Sequence, residues 1–383
     1  MSTIKVNKIE NTATADGGIA IDSSGHVQVD GQQLPTTGPL SNRNLIINGA
    51  MQVAQRSTSE TGQTTVDGYV ALDRHRIQLS SSGTFTISQS TEAPGGFANS
   101  LKFDCTTADS SPDYVVFFQL LEGQDLQQVQ KGTSSAQKLT ASFYVRSSKT
   151  GTYQVNIRDL DNNRLVGASY AISSADTWEL KTVTFPADTT GTFDNDTASS
   201  LQIEWWLAAG SDYTGGAVPT AWEARVNTDR AAALNVAIGA STADDFYITG
   251  IQLEVGEKAT PFEHRSYGDE LARCQRYYYR TTALTNDSTV AVGFNQNSSA
   301  TRSVVFFPVT MRTAPTAIEQ SGTASDVSVY HGTSLTACSS VPSFTSATQH
   351  SAEFQANASG LTAGQGSTIS LESTGYLAWS AEL

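Results

Sequence analysis

Apolar and polar residues alternate along most of the chain in short runs, the period-2 pattern of half-buried β-strands. Between residues 42 and 266 the runs are separated by turn clusters such as SSSG, EAPGG, LDNNR and ADTTG. So many antiparallel strands in one stretch predict a large jelly-roll β-sandwich rather than a small immunoglobulin-like domain. The runs are TFTISQ, SLKFDCTT, DYVVFFQLL, KLTASFYVRS, TYQVNIRDL, WELKTVTFP, SLQIEWWLAAG and DFYITGIQLEV.

Two further β regions flank the sandwich, so the predicted fold class is all-β. Residues 281–383 contain six or seven short strand-like runs, the last of which, YLAWSAEL, we expect to be tied into a sheet. Residues 1–41 contain very short strands between Gly-rich turns, too polar to fold around a core of their own. We expect this segment to become ordered by pairing with identical copies or with a partner; a partly disordered tail is the alternative. The candidate trimer and anchor residues are six apolar residues of this segment, Ile4, Val6, Ile19, Ile21, Val27 and Val29.

Helical patterns are rare in this sequence. Ser266 followed three residues later by Asp269 fits a capping pattern, and Leu271, Cys274 and Tyr278 follow at helical spacing. They predict a connector helix over residues 267–280, packed against the sandwich. The stretch EGQDLQQVQKG, residues 122–132, predicts a helical turn between two strands.

The composition limits the classes of partner. The chain has 383 residues and a net charge of −14, and charged residues make up only 16%. Such a chain cannot neutralise a phosphate backbone, which excludes duplex nucleic acid as the main partner and disfavours anionic membranes. No segment has the length and apolarity of a signal peptide or a membrane span, so we expect synthesis in a cytoplasm and no membrane insertion.

Signals for catalysis or metal binding are weak. The sequence contains no GxSxG, P-loop, HExxH or GxGxxG context, so no catalytic residue is assigned and a non-enzymatic protein is predicted. The five histidines lack metal-ligand spacing, and His75 and His264, each beside an arginine, are interpreted as surface residues. The three cysteines are far apart and are expected to be reduced, buried thiols.

Strand alternation points to a candidate binding surface. On each of three strands, KLTASFYVRS, TYQVNIRDL and SLQIEWWLAAG, the apolar set must face the core, which sends the alternate residues to the opposite side. The residues assigned to the core are Ala141, Phe143, Val145, Tyr153, Val155, Ile157, Leu201, Ile203, Trp205 and Leu207. Aromatic rings can cover the C–H face of a sugar, while amides, carboxylates and guanidinium groups bind its hydroxyls. If the three strands share one sheet, their outward residues form a glycan-binding face. These candidates are Trp206, Glu204, Gln202, Tyr144, Arg146, Arg158 and Asn156. The alternative is that a loop or a neighbouring protomer covers Trp206.

Several segments together resemble a known family. They are NLIINGAMQVAQRSTS, GYVALDRHRI, FFQLLEG, EWWLAAGS, ITGIQLEVGEKATPFEHRS and DELARCQRYYYR, followed by FPVTMRTAPTA, ASGLTAGQG and WSAEL. The chain resembles bacteriophage tail fibre proteins of the marine and cyanobacterial phage type, which carry a carbohydrate-binding-module-like jelly roll. The opening STIKVNKIEN is similar to the virion-anchoring ends of such fibres.

The resemblance implies a structural virion protein made in the host cytoplasm. It would be a homotrimeric receptor-binding fibre, attached through residues 1–41 to a tail adaptor or nozzle protein. Residues 42–266 would form the jelly roll that binds host-surface glycan. Residues 267–280 would be a helix that connects it to a C-terminal β domain, residues 281–383. Family members often hold a structural calcium ion, but the sequence offers no ligand set for one.

Two alternatives stay open. One is a depolymerase tailspike that cleaves host polysaccharide, although no β-helix repeat is evident in the sequence. The other is a head or collar fibre built from the same modules. The sequence names neither the host nor the glycan.

Overall fold

The computed structural model describes residues 8–10, 18–21, 27–29, 32–33, 41–80, 83–372 and 374–383. The chain divides into two compact units, residues 1–265 and 266–383. Both are built mainly from antiparallel strands, which confirms the predicted all-β class. None of the helices in these ranges is long and apolar enough to cross a membrane.

The first four strands form a small antiparallel sheet in sequence order. Three side chains of this sheet, Ile19, Ile21 and Val29, are among the exposed large apolar residues of the chain, and Ile9 is a fourth. This sheet contains the predicted short strands around residues 19–21 and 27–29. Ile4 and Val6 lie outside the described residues. The strands are β1 (Lys8–Glu10), β2 (Gly18–Ile21), β3 (Val27–Val29) and β4 (Gln32–Gln33).

A sandwich of two antiparallel sheets makes up the rest of the first unit. Sheet I has the order β16-β13-β12-β15-β10-β7-β6, and sheet II has the order β14-β11-β17-β9-β8-β5. The strands of sheet I are β6 (Val66–Tyr69), β7 (Arg76–Ser80), β10 (Tyr114–Glu122), β12 (Gly151–Asp159), β13 (Arg164–Ile172), β15 (Ser199–Ala209) and β16 (Glu223–Ala224). Those of sheet II are β5 (Ser59–Gln63), β8 (Thr84–Ser90), β9 (Ser100–Thr107), β11 (Leu139–Ser147), β14 (Glu179–Phe185) and β17 (Asp245–Val255).

The core lies between these two sheets and follows the predicted alternation. Trp205 of sheet I stacks on Phe117 at 5.0 Å between ring centres, and Phe143 of sheet II meets it edge-on at 5.7 Å. All the residues that the alternation assigned to the core are buried in this one cluster. They are Leu201, Ile203, Trp205, Leu207, Ala141, Phe143, Val145, Tyr153, Val155 and Ile157.

Short helical segments join some of these strands. The predicted turn after β10 is a 3-10 helix, Gly123–Val129, in which Leu126 and Val129 are buried. A short α-helix, α1 (Ser211–Thr214), and a 3-10 turn, Asn227–Asp229, belong to the long connection that follows β15.

The second unit begins with the predicted capped helix. In α2 (Tyr267–Gln275), the Ser266 side chain accepts a hydrogen bond from the Asp269 backbone N–H. The helix is shorter than predicted, because the aromatic run after it forms a strand in which Tyr279 pairs with Trp379. Tyr278 therefore belongs to that strand and not to the helical stripe. The strand that carries Trp379 confirms that the last apolar run is tied into a sheet.

Two more antiparallel sheets complete the second unit. Sheet III has the order β18-β27-β21, and sheet IV has the order β23-β22-β26-β19-β20-β25-β24. A core that includes Phe354, Ile369 and Trp379 forms from residues of both sheets. The strands are β18 (Tyr278–Thr282), β19 (Ser288–Asn295), β20 (Ala300–Phe306), β21 (Glu319–Gln320), β22 (Val327–His331), β23 (Ser334–Ala337), β24 (Ser340–Ala347), β25 (Ser351–Asn357), β26 (Gly366–Leu371) and β27 (Tyr376–Ser380). A 3-10 turn, Ala324–Asp326, precedes β22.

Candidate functional site

The seven candidate glycan-binding residues do not share one face. Their strands lie in both sheets of the sandwich, since β12 and β15 belong to sheet I and β11 belongs to sheet II. The expectation of a single face is therefore wrong. Both sheets bury alternate residues in one core, so alternation separates inward from outward residues without telling which sheet a strand joins. Sheet I carries Trp206, Glu204, Gln202, Arg158 and Asn156, and sheet II carries Tyr144 and Arg146.

Residues 210–235, which we call the strap, follow β15; they include the edge strand β16, and residue 213 and residues 229–233 cover the outer face of sheet I. Trp206 does point away from the main core, but it is only 1% exposed. The Arg230 guanidinium lies 4.8 Å from its ring centre, and the Tyr213 ring lies at 4.8 Å. The covering loop considered in the sequence analysis is thus present, and Trp206 is an interior residue.

Glu204 is the centre of a buried polar network beneath the strap. Its carboxylate accepts hydrogen bonds from Arg230 Nη2 at 2.6 Å, Asn156 Nδ2 at 2.9 Å and Trp206 Nε1 at 3.0 Å. Gln202 Nε2 donates to the same carboxylate at 2.8 Å. Burial would raise the pKa of Glu204, but the charge and hydrogen bonds of Arg230 outweigh it and lower the pKa to about 2. The carboxylate is therefore ionised and fully occupied by protein partners.

The strap backbone completes this network. Asn156 Nδ2 also donates to the Arg230 carbonyl oxygen at 2.7 Å, and Gln154 Nε2 donates to the Asp229 carbonyl oxygen at 2.8 Å. Arg158 is half-buried, and burial lowers its pKa to about 10 despite the opposing charge of Glu204. Amides that bind the strap are not free to bind a sugar. This face fastens the strap onto sheet I.

The outer face of sheet II contains an open cleft of about 670 Å³. Tyr144 of β11 and Leu180 and Thr182 of β14 line one part of it. The 95–97 turn and the 259–264 segment line the rest, together with Gly250 of β17. One sequence-predicted candidate, Tyr144, is thus part of the cleft.

Aromatic rings cluster in this cleft. The Phe97 ring centre lies 5.5 Å from that of Tyr144, 5.0 Å from that of Phe262 and 5.2 Å from that of His264. Phe97, Tyr144 and Phe262 are half-buried and His264 is exposed, so ring surface is accessible to a ligand. Gly250 makes this arrangement feasible, because a Cβ there would lie 2.7 Å from Phe97 Cζ. Its φ of +62° also favours glycine.

Polar groups of the wall are available for hydrogen bonding. The hydroxyl groups of Ser142, Tyr144 and Thr182 and the ring nitrogens of His264 have no hydrogen-bond partner in the described part of the chain. Unlike the amides beneath the strap, these groups can satisfy the hydroxyls of a ligand.

Charged residues beyond the cleft are paired with one another. Arg146 forms ion pairs with Glu92 and, at 3.5 Å, with Asp176, and its guanidinium lies 4.9 Å from the Tyr247 ring centre. Its neighbour Lys102 pairs with Asp104 at 3.0 Å. Arg146 therefore lies on the open sheet but is held by protein partners.

The sequence analysis missed Phe97, Phe262 and His264 as site residues. They lie outside the strands, in the EAPGGF turn and the ATPFEHR segment, where alternation carries no information about direction. The usable signal was the aromatic content of these two turns together with a glycine inside the apolar run of β17.

The two histidines interpreted as surface residues differ. His264 is exposed, which confirms that interpretation, whereas for His75 it is wrong. His75 is 1% exposed, and its Nε2 lies 3.2 Å from the Asn48 carbonyl oxygen. Burial lowers its pKa to about 4, the backbone hydrogen bond to Asn48 opposes this, and the Arg74 charge adds to it. The first three residues of the DRHR segment, Asp73, Arg74 and His75, are therefore interior.

In the described part of the chain, the cysteines and the potential metal ligands form no second candidate site. Cys105, Cys274 and Cys338 are buried free thiols, as predicted. Among the residues that the structure describes, no group of three or more His, Cys, Asp or Glu side chains is arranged to hold a metal ion.

Comparison with known proteins yields distant similarities of structure. No protein-family model and no curated protein matches the sequence. One similar structure is the enzymatically active domain of bacteriophage CBA120 tailspike protein 4, with 13% identity and a TM-score of 0.30. That match covers 55% of this chain and 21% of the tailspike chain.

Two carbohydrate-binding modules are also distantly similar in structure to this chain. The family 11 module from Clostridium thermocellum, in complex with a β-1,3-1,4-mixed-linked tetrasaccharide, has 11% identity and a TM-score of 0.27. The match covers 53% of this chain and 99% of that module. TmCBM61, in complex with β-1,4-galactotriose, has 11% identity and a TM-score of 0.27, with 56% of this chain and 99% of that one covered.

Proposed function

We propose that the chain is a saccharide-binding protein and that the cleft on sheet II is its binding site. The observation that carries this proposal is the cluster of Phe97, Tyr144 and Phe262 around an open cleft in which three wall hydroxyl groups have no hydrogen-bond partner in the described chain. Half-exposed rings can stack on the C–H face of a sugar, while free hydroxyls bind its polar edge. Sites for small ligands are usually lined by apolar and aromatic side chains with a few polar groups among them, as this cleft is.

The test is binding of immobilised polysaccharides by the Tyr144→Ala and Phe262→Ala variants. Each should weaken binding about tenfold or more, since stacking on one aromatic ring contributes roughly 1–3 kcal/mol in nucleic-acid complexes. Tyr267→Ala is the matched control, because Tyr267 is exposed on helix α2 outside the cleft. Wild-type binding by both cleft variants contradicts the proposal.

We propose further that this binding attaches a bacteriophage to its host. The sequence resemblance to tail fibre proteins supports a structural, non-enzymatic virion protein that is made in the host cytoplasm and anchored through residues 1–41 to a tail adaptor or nozzle protein. Deleting residues 1–41 should leave a protein that still binds polysaccharide but is missing from purified particles. Release of oligosaccharides by the full chain would instead favour a depolymerase, and antibody labelling of the head or collar would favour another fibre of the virion.

Self-association as a homotrimer is the last part of the proposal, and the outer face of sheet IV supports it. Phe294, Phe306 and Val292 are 55%, 70% and 56% exposed there, and Tyr330 lies on the same face. Val292 pairs with Val304 across β19 and β20, so the apolar residues are contiguous. Monomeric proteins rarely expose an apolar patch of this kind.

Charge and area point to a second copy of the chain as the partner. Arg302 and Glu353 on this face pair with each other at 2.7 Å, which leaves the patch neutral in a chain of net charge −14. Copies can therefore meet here with little repulsion. One face of a seven-stranded sheet with strands of this length has an area of roughly 700 Å². Each partner in a stable complex buries a similar area, about 800 Å².

Native mass spectrometry tests the association. Phe306→Asp should shift the trimer toward monomer, whereas Leu284→Asp should not, because Leu284 is 93% exposed and lies outside sheet IV. A monomeric wild-type chain at micromolar concentration, or a trimer indifferent to Phe306→Asp, contradicts this interface.

A further inference from the structure

We infer that the cleft on sheet II takes an uncharged sugar chain and discriminates against acidic polysaccharides; this rests on the proposed saccharide binding. Apart from the neutral hydroxyl and imidazole groups already named, and the Thr260 hydroxyl that is hydrogen-bonded to Gln252 and Glu254, the described residues that line the cleft are Gly, Ala, Pro, Leu and Phe. None of them is Lys, Arg, Asp or Glu. A carboxylate placed among these residues would lose water without gaining a counter-charge.

Two arginines close to the cleft are already engaged. Arg146 is held by Glu92, Asp176 and the Tyr247 ring, as described above. Arg43 Nη2 donates to the Pro261 carbonyl oxygen at 3.1 Å, and its Nε lies 3.9 Å from Glu254. A uronic acid would have to displace one of these partners and leave a carboxylate of the protein unpaired.

The charge of the whole chain acts in the same direction. A net charge of −14 repels a polyanion at long range and lowers its concentration near the protein surface. An uncharged chain meets neither obstacle. The rings of Tyr144, Phe97 and Phe262 suit its C–H faces, and the hydroxyls of Ser142 and Thr182 suit its own hydroxyl groups.

The experiment compares each acidic polysaccharide with its own carboxyl-reduced form. Polygalacturonate, alginate, their reduced derivatives and a set of uncharged galactans, glucans, mannans and xylans are immobilised, and binding of the full chain is measured at pH 8. The expected result is binding confined to uncharged polymers, with any reduced form held at least tenfold more tightly than its acidic parent. Equal or tighter binding of an acidic parent overturns the inference while leaving saccharide binding intact. Failure to bind any polymer overturns both.

A charge-introducing variant tests the same point by gain of function. Thr182→Lys places an ammonium group on the cleft wall and should raise binding of polygalacturonate or alginate at least tenfold in low salt. Thr184→Lys is the matched control, because Thr184 is exposed on the same strand but does not line the cleft. An equal gain in both variants would mean that the overall charge, and not the cleft, sets the discrimination, and would overturn the inference.

Discussion

Arg230 and Glu204 form a bidentate ion pair in the interior of the first unit. Arg230 Nη2 lies 2.6 Å from Glu204 Oε2, and its Nε lies 3.1 Å from Glu204 Oε1. Arg230 belongs to the strap and Glu204 to strand β15, so the pair joins the strap to sheet I. A charge-assisted bidentate pair of this geometry is a strong contact, and leaving either partner alone in the interior is costly.

We expect Glu204→Gln to lower the free energy of unfolding by about 3–5 kcal/mol, because it leaves the Arg230 guanidinium buried without its counter-charge. Urea denaturation measures the change. The control is Glu257→Gln, which removes the exposed partner of Lys138 and should cost about 1 kcal/mol or less. Equal losses in both variants would contradict a special role for the buried pair.

The same carboxylate predicts acid sensitivity. The pKa of Glu204 is about 2 in the folded chain and 4.5 ordinarily, so the folded state binds the proton more weakly than the unfolded state. The stabilisation is therefore complete above about pH 4.5 and is lost as the pH falls through about 2. We expect the difference in melting temperature between wild type and Glu204→Gln to shrink over that interval. A difference that stays constant on acidification would contradict this.

How much of this could be predicted from the sequence depends on the residue. Alternation correctly sent Trp205 inward and Trp206 outward, because that choice depends only on neighbouring residues in one strand. It could not assign β11 to the opposite sheet, nor show that Arg230, far along the chain, returns to cover Trp206. Those facts depend on long-range topology, which local periodicity does not encode.

Turns were the other limit on prediction. Phe97 and Phe262 reach the cleft from turns that are 165 residues apart in sequence, where no periodic pattern fixes the direction of a side chain. The aromatic residue that was predicted, Tyr144, is the one that lies within a strand.

Lys131 yields a third prediction. Its buried ammonium group lies 2.5 Å from Asp159 Oδ2 and 3.0 Å from Asp188 Oδ2, and it donates to the carbonyl oxygens of Thr190 and Gly191 at 2.9 and 2.8 Å. Four oxygens around one point also suit a hard cation, since Ca²⁺ takes six to eight oxygen ligands, some of them water.

We therefore expect Lys131→Ala to be destabilised by about 3–5 kcal/mol, because Asp159 loses its buried counter-charge and Asp188 keeps only its pair with Arg164. Millimolar CaCl₂ should then raise the melting temperature of the variant by several degrees and leave wild type nearly unchanged. Lys138→Ala, which removes an exposed pair with Glu257, is the control and should show neither effect. The same response to CaCl₂ in wild type and Lys131→Ala would rule out a cation site.

Gly250 gives the sharpest test of the cleft. Its φ is +62°, and a Cβ would lie 2.7 Å from Phe97 Cζ and 3.1 Å from Tyr144 Cδ2. Gly250→Ala should therefore cost roughly 1–2 kcal/mol of backbone strain and also displace the two rings. Gly62→Ala is a matched control, because Gly62 has a φ of +70° and nothing within 4 Å of the added Cβ.

Both glycine variants should lose similar stability in urea, but only Gly250→Ala should weaken polysaccharide binding, by about tenfold. Strain alone acts on folding and leaves the folded fraction with a normal site, whereas displaced rings change the site in every folded molecule. Binding is therefore measured per folded molecule, at a temperature well below both transitions. If the two variants bind equally well, the positions of Phe97 and Tyr144 do not govern binding, and the site lies elsewhere on the molecule.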